Sequence, residues 1–99
     1  MPKTHLYPLN LVWTGAKDGP TTSYRAYSRA WRADRDGKPS LTGSADASFR
    51  GDEGAWNPED LLVASLSACH MLSYLAVCSL KGVEVLAYTD DATGTLSPD

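Results

Sequence analysis

A chain of 99 residues with 42% apolar side chains has room for one domain and enough hydrophobicity to fold it, which excludes a compositionally disordered segment. A formal charge of -3 and a pI near 5.2 argue against a nucleic-acid partner, which selects a basic face. A domain of this size buries only roughly 60–65% of its unfolded surface, so oligomerisation is expected to supplement the core.

The N-terminus, MPKTHLYPLNL, carries no apolar run after Lys3 and does not read as a secretory signal; the cytoplasm is the default compartment. Residues 4–14 alternate at Leu9, Leu11 and Trp13 and predict a strand, with Pro8 holding its start to an edge. The stretch GAKDGP, residues 15–20, is turn material. Residues 21–33 fit both a strand face (Arg25, Tyr27, Arg29, Trp31) and a helical spacing (Tyr24, Tyr27, Trp31). The Thr, Tyr and Trp content favours a strand. Asp36-Gly37 marks a hairpin-type turn, residues 40–47 read as short and irregular, and Phe49-Arg50 is expected to close another strand.

The strongest signal begins at Asn57, a good N-cap. Pro58 stands at the first helical position, and Glu59 and Asp60 fill the first turn. The apolar run LLVASLSACHMLSYLAVCSL follows, and Lys81-Gly82 stops it. The spacing predicts one helix of about 24 residues, roughly 36 Å long. After it, VEVLAY alternates like a strand.

Leu61 to Leu80 is 20 residues without a formal charge, long enough to cross a bilayer. Four serines, two cysteines and a mid-run His70 make it only moderately apolar, and neither an aromatic belt nor a basic cluster flanks it. A buried core helix is therefore the expectation, apolar all round and covered on most sides.

Two cysteines, Cys69 and Cys78, are too few for a disulfide scaffold. His5 and His70 are far apart and have no third ligand nearby, and no zinc-spaced cluster or phosphate loop is present. The ordinary reading of Cys69, mid-helix in Ser-Ala-Cys-His, is a buried structural thiol. It lies too far from the helix N-terminus to gain from the dipole, so a thiolate there needs a cation, with Arg25, Arg29 and Arg50 upstream. Nine helical residues place Cys78 about 13.5 Å along the axis and half a turn away, beyond disulfide reach within one chain. Glu59 is ordinarily a first-turn dipole residue and can also anchor an arginine. Arg50-Gly51-Asp52 spells an adhesion tripeptide, which chance explains in a chain without a secretion signal.

The stretch N-P-E-D-L-L-V-A-S-L-S-A-C-H, residues 57–70, resembles the signature of the OsmC/Ohr family of organic-hydroperoxide reductases. The flanking pieces W-T-G (13–15), F-R-G-D-E-G (49–54) and G-V-E-V-L-A-Y-T-D-D-A-T-G (82–94) are similar to the family's first strand, its approach to the helix, and its next strand. The resemblance implies an α+β fold: an N-terminal antiparallel sheet, a long buried central helix and a further strand, intertwined with a second copy as a homodimer. Residues 1–99 then correspond to a single OsmC-like domain that stops before the later strands and the helix bearing the family's second cysteine. Cys69 maps to the cysteine that attacks the peroxide, and Glu59 to the glutamate that pairs with an arginine. Arg50, just ahead of the helix motif, is the first choice for that arginine and Arg29 the second.

The implied activity is thiol-dependent reduction of organic hydroperoxides in oxidative-stress defence, without a bound cofactor or metal and with an external thiol or dithiol as reductant. Cys78 does not match the family's resolving position. The chain is therefore a fragment, works with an external thiol, or does not turn over. A non-catalytic module that dimerises or binds a small apolar ligand is the alternative. Neither nucleic acid nor a membrane is expected as a partner.

Overall fold

A computed structural model describes residues 3–98. The chain divides into two compact units, Met1–Pro58 and Glu59–Asp99. The first unit carries a three-stranded antiparallel sheet in the order β1 (Asn10–Trp13), β2 (Trp31–Asp34), β3 (Leu41–Gly43). The second carries one long helix, α1 (Pro58–Leu80), and an extended return segment.

The strands are shorter than the alternation predicts. β1 takes up only the end of the expected span 4–14, because Pro8 lacks an N–H and the partner β2 offers four residues for pairing. The expected strand 21–33 shrinks to its last residues for a different reason. The Arg29 guanidinium donates to the carbonyls of Tyr27 (2.6 Å) and Tyr24 (2.5 Å), so those acceptors are satisfied in a series of turns. GAKDGP forms a 3-10 turn, Thr14–Asp18, closed by Gly19 at φ 125°. Asp36-Gly37 makes the expected reversal, with Gly37 at φ 82° and Lys38 N donating to Arg35 O (3.1 Å). Residues 41–43, expected to be irregular, form β3, while the expected strand at Phe49-Arg50 is a 3-10 turn, Ala47–Phe49.

Tryptophans organise the sheet. Trp13 pairs across from Trp31, and Trp31 pairs across from Gly43. The missing side chain of Gly43 lets the Trp31 indole lie over the strand and donate from Nε1 to Ser44 O (2.9 Å). Buried Ser44 also donates its own N–H to Trp56 O (2.8 Å) and accepts from Asp52 N at Oγ (3.0 Å). A parallel bridge joins Gly43 and Trp56. The chain leading to α1 is thereby tied to β3.

Helix α1 begins where Asn57, Pro58 and the acidic pair Glu59-Asp60 predict and runs for 23 residues. Its end is a Schellman motif: Gly82 adopts φ 73°, Val83 N donates to Cys78 O (2.8 Å) and Gly82 N to Ser79 O (3.3 Å). The expected strand VEVLAY has no ladder among the described residues; residues 83–98 instead run back along the helix. Tyr88 packs on Tyr74 (centroids 5.8 Å), Ser67 Oγ donates to Asp90 Oδ2 (2.6 Å), and Gly94 passes so close to Val63 that a Cβ would collide with it. A ladder of backbone N–H···O=C bonds needs a neighbouring strand, and none of the described residues supplies one here.

The expectation of a buried helix fails within this chain. Cys78 is the one buried residue of α1, while Leu66 is 65% and Leu80 86% exposed. The reason is geometric: one extended segment covers one face of a helix whose apolar side chains point all round. The helix is long and apolar enough to cross a membrane by length and composition alone, a test that core helices also pass.

Gly43→Ala is expected to lower stability by about 1–3 kcal/mol, because the new methyl meets the hydrogen-bonded Trp31 ring. Gly54→Ala, whose Cβ has ordinary room, is expected to change it by less than about 0.5 kcal/mol. Urea titration of both variants checks the pair.

Candidate functional site

The Arg29 guanidinium is stacked between two rings, 3.6 Å from the centroid of Tyr27 and 4.7 Å from that of Tyr24. Trp13 meets Tyr27 edge-on at 6.1 Å and donates from Nε1 to Ser28 O (2.7 Å). With two carbonyls and two aromatic faces engaged, Arg29 staples its own loop. Such cation–π contacts contribute about 0.5–1 kcal/mol each at exposed sites.

Arg50 occupies a different setting. The Asp46 carboxylate caps the turn Ala47–Phe49, accepting from Ser48 N (2.8 Å) and Ser48 Oγ (2.5 Å). The Ser48 hydroxyl, then its amide, hold the Asp46 carboxyl below the usual carboxylate range. A depressed folded-state pKa means that this cap supports the fold at neutral pH and loses its contribution as pH falls through that value. Arg50 then takes the left-handed conformation, φ 66° and ψ 27°, as the single described non-glycine residue at positive φ. The position is exposed and stands eight residues before Pro58.

Glu59 and Cys69 share α1. Ten residues separate them, about 15 Å along the axis and about 80° around it, so coupling between them requires a third group. Cys69 is free and exposed in the single chain, where the sequence pattern alone leads to a buried thiol. The return segment covers the face of Val63, Ser67, Met71 and Cys78; Cys69 lies on the other side, about 120–180° away from them. There it sits within an exposed stripe of Leu62, Leu66, Leu72 and Leu80.

Cys78 is free and buried, 8% exposed. The Tyr74 hydroxyl hydrogen-bonds its sulfur, and that bond pushes the Tyr74 phenol above its ordinary range. The expectation that Cys69 and Cys78 do not bridge agrees with the structure. No group of three or more metal-ligating side chains occurs among the described residues.

The fold thus places Glu59 and Cys69 on one helix and assigns Arg29 and Arg50 to separate turns of the sheet unit. The left-handed backbone of Arg50 and the double role of Asp46 escaped the sequence reading. The signal for them was present in Asp46-Ala-Ser48, an Asx-turn pattern, followed by Gly51.

Residues 51–99 match the model of the family described as OsmC-like protein. No curated protein matches the chain significantly. Among solved structures, an OsmC-like protein of unknown function from Vibrio cholerae O1 biovar eltor str. N16961 is similar, with 29% identity and a TM-score of 0.85. The match covers 97% of this chain and 64% of the Vibrio protein, so the chain spans just under two thirds of that relative's length. The second half of the chain therefore carries the OsmC-like sequence pattern, and the three-stranded sheet with its long helix is the fold of an OsmC-like protein.

Proposed function

We propose that the chain reduces organic hydroperoxides with Cys69 as the nucleophile, as one OsmC-like domain acting in a homodimer in the cytoplasm. The observation that carries this reading is the accessibility of Cys69 on α1, ten residues beyond Glu59, in a helix that otherwise hides its second thiol. Redox-active cysteines need access to solvent or substrate, whereas inert ones are enclosed.

Arg50 is the activating cation in this scheme. Arg29 is already committed to Tyr24 and Tyr27, while Arg50 precedes the helix motif on a turn with a fixed backbone. The guanidinium stabilises the Cys69 thiolate and donates to the peroxide oxygens, and Glu59 orients it through a bidentate contact. The thiolate sulfur attacks one peroxide oxygen, the O–O bond breaks, and the alkoxide leaves as an alcohol after taking a proton. Cys69 is left as sulfenic acid. Two equivalents of an external thiol then restore the thiol, releasing water and a disulfide. The leucines around Cys69 favour an alkyl over a hydrogen peroxide substrate.

Surface area supports the homodimer. The chain exposes 8465 Å², where a self-sufficient monomer of its mass exposes about 5500 Å². The excess of about 3000 Å² per chain, about 6000 Å² for a pair, is more than the roughly 2000–5000 Å² that most obligate dimers bury in total, so a dimer interface accounts for part of it.

One equivalent of cumene hydroperoxide is expected to add one oxygen to Cys69 and leave Cys78 intact, as read by mass spectrometry of digested peptides. The adduct disappears in Cys69→Ser. A thiol at position 69 that oxidises no faster than free cysteine would leave only a non-catalytic binding module.

Loss of a charge-assisted hydrogen bond worth about 1.5–3 kcal/mol slows a reaction about ten- to hundredfold. Stopped-flow oxidation of Arg50→Ala is expected to show that loss, while Arg29→Ala keeps its rate within about twofold and instead melts earlier. Sedimentation equilibrium should return twice the chain mass, and Leu66→Glu, which puts a charge into the exposed stripe, should shift it toward the monomer.

A further inference from the structure

Residues 44–52 form a turn that converges on one unusual backbone angle. In the left-handed region a side chain crowds its own carbonyl, so a free arginine leaves it for the right-handed or extended basin. Here several contacts prevent that. Besides the two bonds from Ser48 to the Asp46 carboxylate, the Asp46 carbonyl accepts from Phe49 N (2.9 Å) and Gly51 N (3.0 Å). Arg50 N donates to Ala47 O (3.0 Å). Gly51 lies directly against the Ala45 backbone, where no Cβ fits. The chain on both sides of Arg50 is therefore fixed, and Asp46 takes part in most of the bonds that fix it.

We propose that Asp46 is a positioning residue for the peroxide chemistry: by capping the turn it sets the left-handed backbone at Arg50 and hence the direction in which the guanidinium leaves the chain. A residue in a strained conformation at a candidate site is held by its surroundings, and the holding group is then part of the mechanism. Asp46 does not touch substrate; it acts through Arg50. The inference rests on the reading that Arg50 activates Cys69. Short reach makes the role specific to aspartate or asparagine, since the capping oxygen must return to the amide two residues on.

The test is the pH profile of Cys69 alkylation by iodoacetamide together with its oxidation rate by cumene hydroperoxide, on the full chain. Asp46→Ala is expected to move the Cys69 ionisation midpoint upward and slow oxidation about tenfold, the size of a lost cap. Asp46→Asn, which keeps the accepting oxygen, should stay within about twofold of the unaltered protein. In an Arg50→Ala background, Asp46→Ala should add less than about twofold, because the two act in series. Should Asp46→Ala fail to fold, Asp46→Glu serves: it keeps the charge but misplaces the oxygen, and the same slowing is expected. An unaltered midpoint and rate in the folded Asp46 variants, with Arg50→Ala slow, overturns the positioning role alone. A normal rate in Arg50→Ala overturns the underlying reading.

Discussion

Leu61 to Leu80 contains no formal charge, and a helix of that composition must leave water on nearly every side. The return segment covers only the face of Val63, Ser67, Met71 and Cys78. Everything distinctive about the second unit follows from that incomplete cover. Cys78 falls on the covered face and is buried against Tyr74. Cys69 falls on the opposite face and is exposed among leucines in the single chain. Two chemically identical side chains on one helix are assigned opposite fates by half a turn of phase.

The first unit solves a different problem. Its strands are three or four residues long, too short to be stable by ladder bonds alone. Polar staples take over: two tryptophan N–H groups reach backbone carbonyls, Arg29 bonds two more, and Ser44 joins β3 to the chain at Asp52 and Trp56. The same device continues into the turn at Asp46, whose product is a fixed backbone at Arg50. A sheet that small keeps its loops in place only because such bonds over-determine them.

The second unit leaves both hydrogen-bonding and apolar capacity open. Residues 83–88 alternate as a strand yet have no neighbour, and the leucine stripe of α1 has no cover among the described residues. A segment of strand-like sequence without a ladder, beside an uncovered helix, leaves backbone and apolar groups that only further atoms, from more chain or from a second molecule, are able to satisfy.

The sequence by itself determined the elements whose signals are local. Asn57-Pro58-Glu59 and Gly82 bound α1 to within a residue, Asp36-Gly37 turns the chain, and nine residues of helix keep the two cysteines apart. These depend on backbone geometry within a few residues, which neighbours cannot override. Tertiary structure decided what depends on distant partners. It withheld a ladder from VEVLAY and left α1 largely exposed. Local side-chain bonds also overrode alternation: Arg29 takes carbonyls two and five residues back in the strand expected over 21–33, and Asp46 caps a 3-10 turn at Phe49-Arg50. Alternation and apolarity show that a segment is able to be buried or paired, but the partner that does so lies elsewhere along the chain or on another molecule.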